Sequence, residues 1–307
     1  MIKILKLFDF KKCELPEKLF EIKIPQAKID EKIEKAAEHF LTIEEQDGAV
    51  QNGDIAAVRI ESPDSSIQSD CERFSVGKGF FYQEIDSEIL GKQKGDSFSL
   101  KIGDVSAKIT VLWVKRRVVP DFTDAMAAQM GIEDVANVRE YTDYVTQELA
   151  DEEKEKKQNG IWLLVSKKII EESSFEMDAQ EVEAQYKKDT DYLQNELGDD
   201  FEEFMQVKYH GKSLEESKQN FKKDIEKTLK LCAIAAPMAA EDGIEWSREE
   251  YEAVIDDMVS EDYSRDELEQ SMSFDDYVKQ QTEEYFKGKV LEYFDDRFSI
   301  EIVQGAV

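Results

Sequence analysis

Hydrophobic and polar residues follow two different rhythms along this chain, and the change falls near Pro120. Before it, residues 48–118 contain short apolar runs separated by glycine-rich turns, a pattern that predicts several strands with one short helix. After it, apolar positions recur every three or four residues, as at Val138, Tyr141 and Val145, and predict amphipathic helices. The two patterns together predict an α+β, multidomain protein.

The chain before residue 48 predicts one strand and one helix. Residues 18–25 alternate apolar and charged side chains as a half-buried strand does, and Pro25 ends the run. From Lys28 the apolar spacing becomes helical and continues to the Asp47-Gly48 turn. A closing strand at residues 298–303 is expected to pair with residues 18–25. Residues 48–118 would then be an insertion within one body.

Helix start signals recur through the second half of the chain. Each is a capping-box spacing, in which an Asp or Ser precedes a Glu by three residues: Asp178 and Glu181, Ser213 and Glu216, Ser247 and Glu250, Ser264 and Glu267. A long helix with Phe221, Ile225 and Leu229 on one face should run into Pro237 and kink there. The last helix is expected at about residues 274–294.

Composition narrows the possible partners. The net charge is −30 and 36% of the 307 residues are charged, so nucleic acid and anionic membrane surfaces are not expected as partners. No apolar run could span a bilayer, and the first 13 residues do not fit a signal peptide. Three cysteines at unrelated spacings fit a reducing compartment, so we predict a cytoplasmic protein. We expect no metal site and no cofactor.

Residues 74–98 carry the densest mixture of glycine and apolar residues. No nucleophile with a neighbouring base can be identified, and the glycines match no nucleotide-binding fingerprint. Rotation about an X–Pro bond needs only a dry apolar pocket. The residues with a fitting composition are Phe74, Phe81, Tyr82, Ile85, Ile89 and Ile109. An equally good interpretation is that they form the core of a small domain.

The order of several motifs resembles the bacterial trigger factor family of chaperones. IPQAKIDEKIEKA, at residues 24–36, is similar to the linker helix of that family. VGKGFFYQEIDSEILGKQKGDSF, at residues 76–98, resembles its FKBP-type prolyl isomerase segment. VPDFTDAMAAQMGIEDVANVREYTDYV, at residues 119–145, is similar to the entrance to its helical C-terminal domain. The resemblance covers nearly all of the chain after about residue 15.

The resemblance implies three domains. Residues 1–47 would form a strand and linker helix that pack with the helical body. Residues 48–118 would form a shortened, FKBP-like antiparallel β domain. Residues 119–307 would form a mostly α-helical trigger-factor/SurA-like chaperone domain. The N-terminal ribosome-docking domain of the family is expected to be absent, so direct ribosome docking is not expected.

The resemblance implies that four residues line a proline pocket: Phe81, Tyr82, Ile85 and Ile109. Ile85 stands where the family has an aromatic floor, and Ile109 stands where a phenylalanine lines the pocket. The loop and the flap around the pocket are shortened. The implied prolyl isomerase (rotamase) activity is therefore expected to be weak or lost, with an active isomerase as the alternative.

The helical part is expected to bind unfolded or nascent polypeptides in a cradle, as an ATP-independent holdase. Four methionines are candidate client-binding residues because the side chain adapts to varied partners: Met205, Met238, Met258 and Met272. Packing within the helices is the competing interpretation for each. A module for one dedicated partner is a further alternative to the holdase.

Overall fold

A computed structural model describes residues 2–79, 83–260 and 263–305. The chain forms two compact units: Met1–Ile22 with Asp151–Glu301, and Lys23–Ala150 with Ile302–Val307. The first is mainly helical and the second contains a five-stranded sheet. This is the α+β multidomain architecture predicted from the sequence. The three domain boundaries proposed above stay predictions.

The strands are β1 (Lys3–Lys6), β2 (Glu21–Pro25), β3 (Thr42–Glu45), β4 (Ile55–Glu61), β5 (Ser69–Ser75), β6 (Ser97–Ile102), β7 (Val105–Val118), β8 (Ser174–Glu176) and β9 (Ser299–Val303). The helices are α1 (Gln26–Ala37), α2 (Gln83–Glu88), α3 (Asp124–Gln129), α4 (Val138–Glu172), α5 (Ala179–Leu197), α6 (Phe201–Tyr209), α7 (Leu214–Glu241), α8 (Arg248–Met258), α9 (Arg265–Ser271) and α10 (Phe274–Phe294).

The five-stranded sheet is antiparallel, in the order β3-β7-β4-β5, with β6 pairing on β7. Alternate residues of the strands point to one apolar core, as the two-residue period of a strand requires. That core contains Val50, Ala56, Val58, Ile60, Phe74, Val76, Ile85, Ile89, Ile102, Ala107, Ile109, Val111 and Val114. Ile85 lies in α2 and Ile89 directly follows it, so this segment closes the core on that face of the sheet.

An ion pair with a buried carboxylate joins the residue before β4 to β7. The Asp54 side chain is 1% exposed, and the Arg116 guanidinium donates to both of its oxygens at 2.7 and 2.8 Å. The backbone N–H of Gln51 donates to the same carboxylate at 2.8 Å. The hydrogen bonds from Arg116 are the main reason that the pKa of Asp54 lies below its usual range.

Among the residues that the structure describes, the helical unit packs around three separate apolar clusters. The largest contains Cys13, Leu15, Phe20, Ile161, Val165, Ile169, Leu231, Ile234, Ala235, Phe286, Val290 and Phe294. A second is built from α5, α6 and α7: Val182, Phe201, Met205, Phe221, Ile225 and Leu229. The third lies among α8, α9 and α10: Tyr251, Ile255, Leu268 and Tyr277.

The N-terminal segment belongs to the helical unit. β1 pairs antiparallel with β8, and Cys13, Leu15 and Phe20 are buried in the largest apolar cluster. β2 pairs with β9, as predicted for residues 18–25 and 298–303. The sequence analysis predicted no element before residue 18, because the partner of β1 is about 170 residues away along the chain.

The helix start signals are largely confirmed. Both halves of the capping box form at Ser247 and Glu250, and again at Ser264 and Glu267. Ser213 caps the N–H of Glu216, whereas the Glu216 carboxylate accepts from Lys212. The final helix begins and ends at the predicted residues, Phe274–Phe294. Pro237 lies inside α7, which continues to Glu241.

Candidate functional site

A groove runs through the helical unit between α5, α6 and α7 on one side and α9 and α10 on the other. It consists of three neighbouring cavities of about 470, 430 and 610 Å³. Ser271 borders all three, and Tyr192 borders the last two. We call this feature the helical groove. Each cavity could hold a few side chains of an extended segment, and their adjacency makes one continuous site.

The floor of the helical groove is apolar. Phe221, Ile225 and Leu229 lie four residues apart on α7, so they project from one face of the helix. Their side chains are largely buried, and the Tyr209 ring lies 4.7 Å from the Phe221 ring, centroid to centroid. The helical spacing of these three residues predicts their common face but not the groove, because its other walls come from distant helices.

A polar network crosses the helical groove from α5 to α10. Lys188 pairs with Asp276 and donates to the Ser273 hydroxyl at 3.0 Å. Lys279 donates to Gln185 at 2.7 Å, and Gln185 donates to Asp189 at 2.7 Å. These polar contacts connect helices whose apolar side chains belong to different clusters.

The carboxyl groups along this network have opposite pKa shifts. Burial opposes ionisation of Asp276, but hydrogen bonds from Lys188 and Ser273 outweigh it and lower the pKa to about 2. Burial raises the pKa of Asp189 and of Glu283, which also borders the groove. Burial, followed by the nearby Asp224 charge, raises the pKa of Tyr209 to about 12.

The outer end of the helical groove has an exposed apolar border. Met258 and Tyr263 are 49% and 58% exposed, and both line the cavity of about 610 Å³. Val259, between them in sequence, is 44% exposed. Exposed apolar side chains beside a cavity provide contact area for an incoming apolar group.

The four candidate methionines have different environments. Met205 is fully buried in the cluster of α5, α6 and α7, and Met238 packs at the border of the largest cluster. Met272 packs against the cluster of α8, α9 and α10, and its carbonyl accepts from the Tyr251 hydroxyl at 2.9 Å. Met258 alone among the four is strongly exposed. Their assignment as client-binding residues stays a prediction.

The residues of the predicted proline pocket divide into two groups. Ile85 and Ile109 are 3% and 0% exposed and belong to the same apolar core beneath the sheet. Phe81 and Tyr82 lie outside the described residues. The structure therefore brings Ile85 and Ile109 together, in a core that offers little surface for a ligand.

The described residues contain neither a metal-binding cluster nor a membrane-spanning helix. Within residues 2–79, 83–260 and 263–305, no set of three or more His, Cys, Asp or Glu side chains is arranged to hold a metal ion. In the same ranges, every helix is too short or too polar to cross a lipid bilayer.

The sequence model described as "Bacterial trigger factor protein (TF) C-terminus" matches residues 137–294. This match covers more than half of the chain, from α4 to α10, and contains the whole helical groove. The chain belongs to the trigger factor family. A chaperone function follows from this membership, because the family binds nascent or unfolded polypeptides.

The chain is also similar to two named proteins and to one solved structure. Proteins named "Trigger factor" from two strains of Staphylococcus epidermidis are 22% identical over 306 residues, covering 89% of this chain and 67% of theirs. The chain is also similar to a solved structure described as "Promiscuous Substrate Recognition in Folding and Assembly Activities of the Trigger Factor Chaperone". There the identity is 17% and the TM-score 0.47, over 97% of this chain and 73% of the other.

Proposed function

We propose that this member of the trigger factor family is an ATP-independent holdase, which binds unfolded or nascent polypeptides in the helical groove. The observation that carries the proposal is an apolar floor, formed by Phe221, Ile225 and Leu229 in the cavity of about 470 Å³, together with a charged border. Burying apolar surface contributes about 25 cal/mol per Å². A few client side chains in separate cavities would therefore bind weakly and reversibly, as a holdase requires.

The composition of the groove supports broad rather than narrow selection. The side chains at its border include flexible or rotatable groups, such as Met258, Tyr263 and Lys208. Such side chains adapt to different partners at small cost. The surrounding charge keeps the apolar surface from associating with other copies of the protein.

We also propose that prolyl isomerase activity is weak or lost. Ile85 and Ile109 are buried in the apolar core of the sheet, so a bound proline could reach them only if the core opened. A protease-coupled assay with a proline-containing peptide tests this. We expect the uncatalysed rate, unchanged by Phe81→Ala or Tyr82→Ala. A rate well above it that falls in either variant would instead support an active isomerase.

The holdase is tested by aggregation of several unrelated, chemically denatured proteins. We expect the wild-type protein to suppress aggregation of all of them, without nucleotide. Replacing Met258 and Tyr263 with serine should weaken the suppression, because it removes exposed apolar surface at the groove. Leu163→Ser is the matched control, since Leu163 is 61% exposed on α4 and does not line the groove.

Two results would contradict the holdase. Failure of the wild-type protein to protect any of the test proteins would favour a module with one dedicated partner. Equal loss of protection in the groove variant and in Leu163→Ser would place client binding outside the helical groove.

A further inference from the structure

The face of the five-stranded sheet opposite its apolar core carries a cluster of cations around one tryptophan. Ala57 of β4 lies in register with Trp113 of β7 on one side and with Arg73 of β5 on the other. Arg73 and Lys115 both lie over the Trp113 ring, 5.7 and 5.3 Å from its centroid. Arg59 follows Ala57 by two residues on β4, so it points to the same face.

These side chains are available to a ligand. Arg59 and Arg73 are exposed, and Trp113 and Lys115 are half-buried. We call these four residues the outer sheet face. Glu61, which pairs with Lys108 at 2.9 Å, and Glu45, in register with Lys115, border it, and β5 itself also carries Asp70 and Glu72. Arg73 and Lys115 therefore remain around Trp113, and Arg59 adds a third cation on the same face, near Glu61.

The charge of the surrounding chain makes this cluster unusual. Residues 48–118 contain ten Lys and Arg and ten Asp and Glu, so the net charge of −30 lies entirely outside them. Acidic segments of an unfolded polypeptide are repelled by the rest of the chain. The outer sheet face is a place where such segments meet positive charge instead.

Strand order favours a polypeptide over other anions. In the described part of the sheet β5 is the terminal strand and pairs with β4. A terminal strand offers backbone N–H and C=O groups to an added strand. Arg73 lies on β5 itself, so alternate side chains of an added strand would fall beside it. The Trp113 ring is already covered by cations, which leaves less of it for stacking with a nucleobase.

We infer that the free edge of β5 and the outer sheet face bind extended, acidic polypeptide segments. The inference rests on the proposed function in one respect, that the ligand is part of an unfolded client. It adds a second binding surface, distinct from the helical groove. It also states which client segments this surface binds, namely acidic ones. Binding should need carboxylates at alternate positions, together with unblocked backbone amides.

The experiment uses the full chain and a fluorescent peptide in which glutamate alternates with threonine. We expect saturable binding that weakens as salt is added. Arg59→Gln and Arg73→Gln should each weaken it about two- to fivefold, the range for one exposed ion pair. Lys94→Gln is the matched control, because it removes the same charge from an exposed position in the turn before β6. Far-UV circular dichroism checks that each variant folds.

Two measurements locate the bound peptide. Cys71 is exposed on β5, whereas Cys13 is buried and Cys232 half-buried. Bound peptide should slow alkylation of Cys71 in the wild-type protein and slow it less in Arg73→Gln. A peptide of the same sequence with alternate backbone nitrogens methylated keeps its charge but cannot pair with β5. It should bind more weakly and leave Cys71 reactive.

Several outcomes would overturn the inference. Equal weakening by Lys94→Gln and Arg73→Gln would show only general charge attraction. Full binding of the methylated peptide would remove the strand edge from the site. Tighter binding of single-stranded oligouridylate, in competition with the peptide, would assign the face to nucleic acid. No binding of the acidic peptide would mean that the arginines only protect the edge of the sheet from association.

Failure of the inference is distinguishable from failure of the proposed function. Arg59→Gln and Arg73→Gln should leave protection of a neutral, apolar test protein at the wild-type level. If the wild-type protein protects no client but still binds the acidic peptide at Cys71, the holdase fails and the acidic site remains. If it protects clients but does not bind the acidic peptide, the holdase stands and the acidic site fails.

Discussion

The five-stranded sheet and the helical unit of this protein bury their apolar residues in opposite ways. The sheet gathers them into one core and ties β4 to β7 with the buried Asp54–Arg116 pair. The helical unit distributes them over three clusters, and α5 and α10 meet through the polar network around Asp276. One core makes a unit that should unfold as a whole. Separate clusters allow local movement, which a groove for varied ligands needs.

The largest effect is expected when the buried ion pair of the sheet is broken. Arg116→Ala leaves the Asp54 carboxylate buried with the N–H of Gln51 as its remaining described donor. An uncompensated buried charge costs about 3–5 kcal/mol. Hydrogen exchange should accelerate across all strands of the sheet, while α7 exchanges as in the wild-type protein. Arg117→Ala, one residue further along β7 and exposed, is the control and should change little.

A smaller and more local effect is expected in the helical unit. Met205 is fully buried among α5, α6 and α7, so Met205→Ala should cost about 2–3 kcal/mol. If the clusters are independent, faster hydrogen exchange should be confined to these three helices and spare Phe286 and its neighbours. Acceleration throughout the helical unit would mean that the clusters unfold together, contrary to the comparison.

The next largest effect is expected at Gly77, where the backbone conformation is strained for any residue other than glycine. Gly77 has a φ of +81°, and a Cβ there would lie 1.5 Å from Oδ1 of the Asn52 side chain. Asn52 can move, but the left-handed backbone still costs a non-glycine residue about 1–2 kcal/mol. Gly77→Ala should lower the free energy of unfolding of the sheet by that amount, which a denaturation curve measures. Gly48→Ala is the control, because Gly48 has open space around its Cβ position and no positive φ.

The smallest effect concerns the polar network of the helical groove. The pKa of Asp276 is about 2 in the folded protein, below its ordinary value of 3.8. A lowered pKa stabilises the folded state above the ordinary value, and this contribution is lost as the pH falls from about 4 to 2. The loss should be about 1 kcal/mol, since Lys188 is partly exposed and water screens the pair.

Thermal unfolding of the helical unit between pH 5 and pH 2 measures this contribution. Asp276→Asn should be less stable than the wild-type protein at the upper end and should approach it at the lower end. Asp189 acts in the other direction, because its raised pKa means that protonation favours the folded state. Asp189→Asn removes this gain in stability on acidification, so the variant should lose more stability than the wild-type protein between pH 5 and pH 2. If the difference in unfolding temperature between Asp276→Asn and the wild-type protein does not change with pH, the effect comes from packing and not from ionisation of Asp276.

Sequence reasoning succeeded where structure is local. The capping boxes at Ser247 and Ser264 and the bounds of α10 depend on residues within a few positions of one another, and all were found. The pairing of β2 with β9 could be predicted because residues 18–25 and 298–303 both alternate apolar and polar side chains, as strands do. The family could be recognised from the order of motifs.

The groove and its network were beyond prediction because they depend on tertiary packing. Lys188 and Asp276 are 88 residues apart, and nothing in their local sequence marks them as partners. Burial could not be predicted either, because isoleucines such as Ile85 and Ile109 are equally common in the wall of a pocket and in an apolar core. Tertiary packing places both in the core. Tyr192 and Tyr209 line the groove through the convergence of α5 and α6 with α9.

The N-terminal segment has a consequence for the order of folding. Cys13, Leu15 and Phe20 share a cluster with Phe286 and Phe294, and the carbonyl of Phe20 accepts from the N–H of Ser299. During synthesis, residues 48–118 can form their contacts as soon as β7 is made. The first residues can pair with β8 once it is made, but their apolar cluster is completed only by α10, across a loop of more than 250 residues whose closure is entropically costly. The helical unit should therefore fold last, from a chain already carrying a finished sheet.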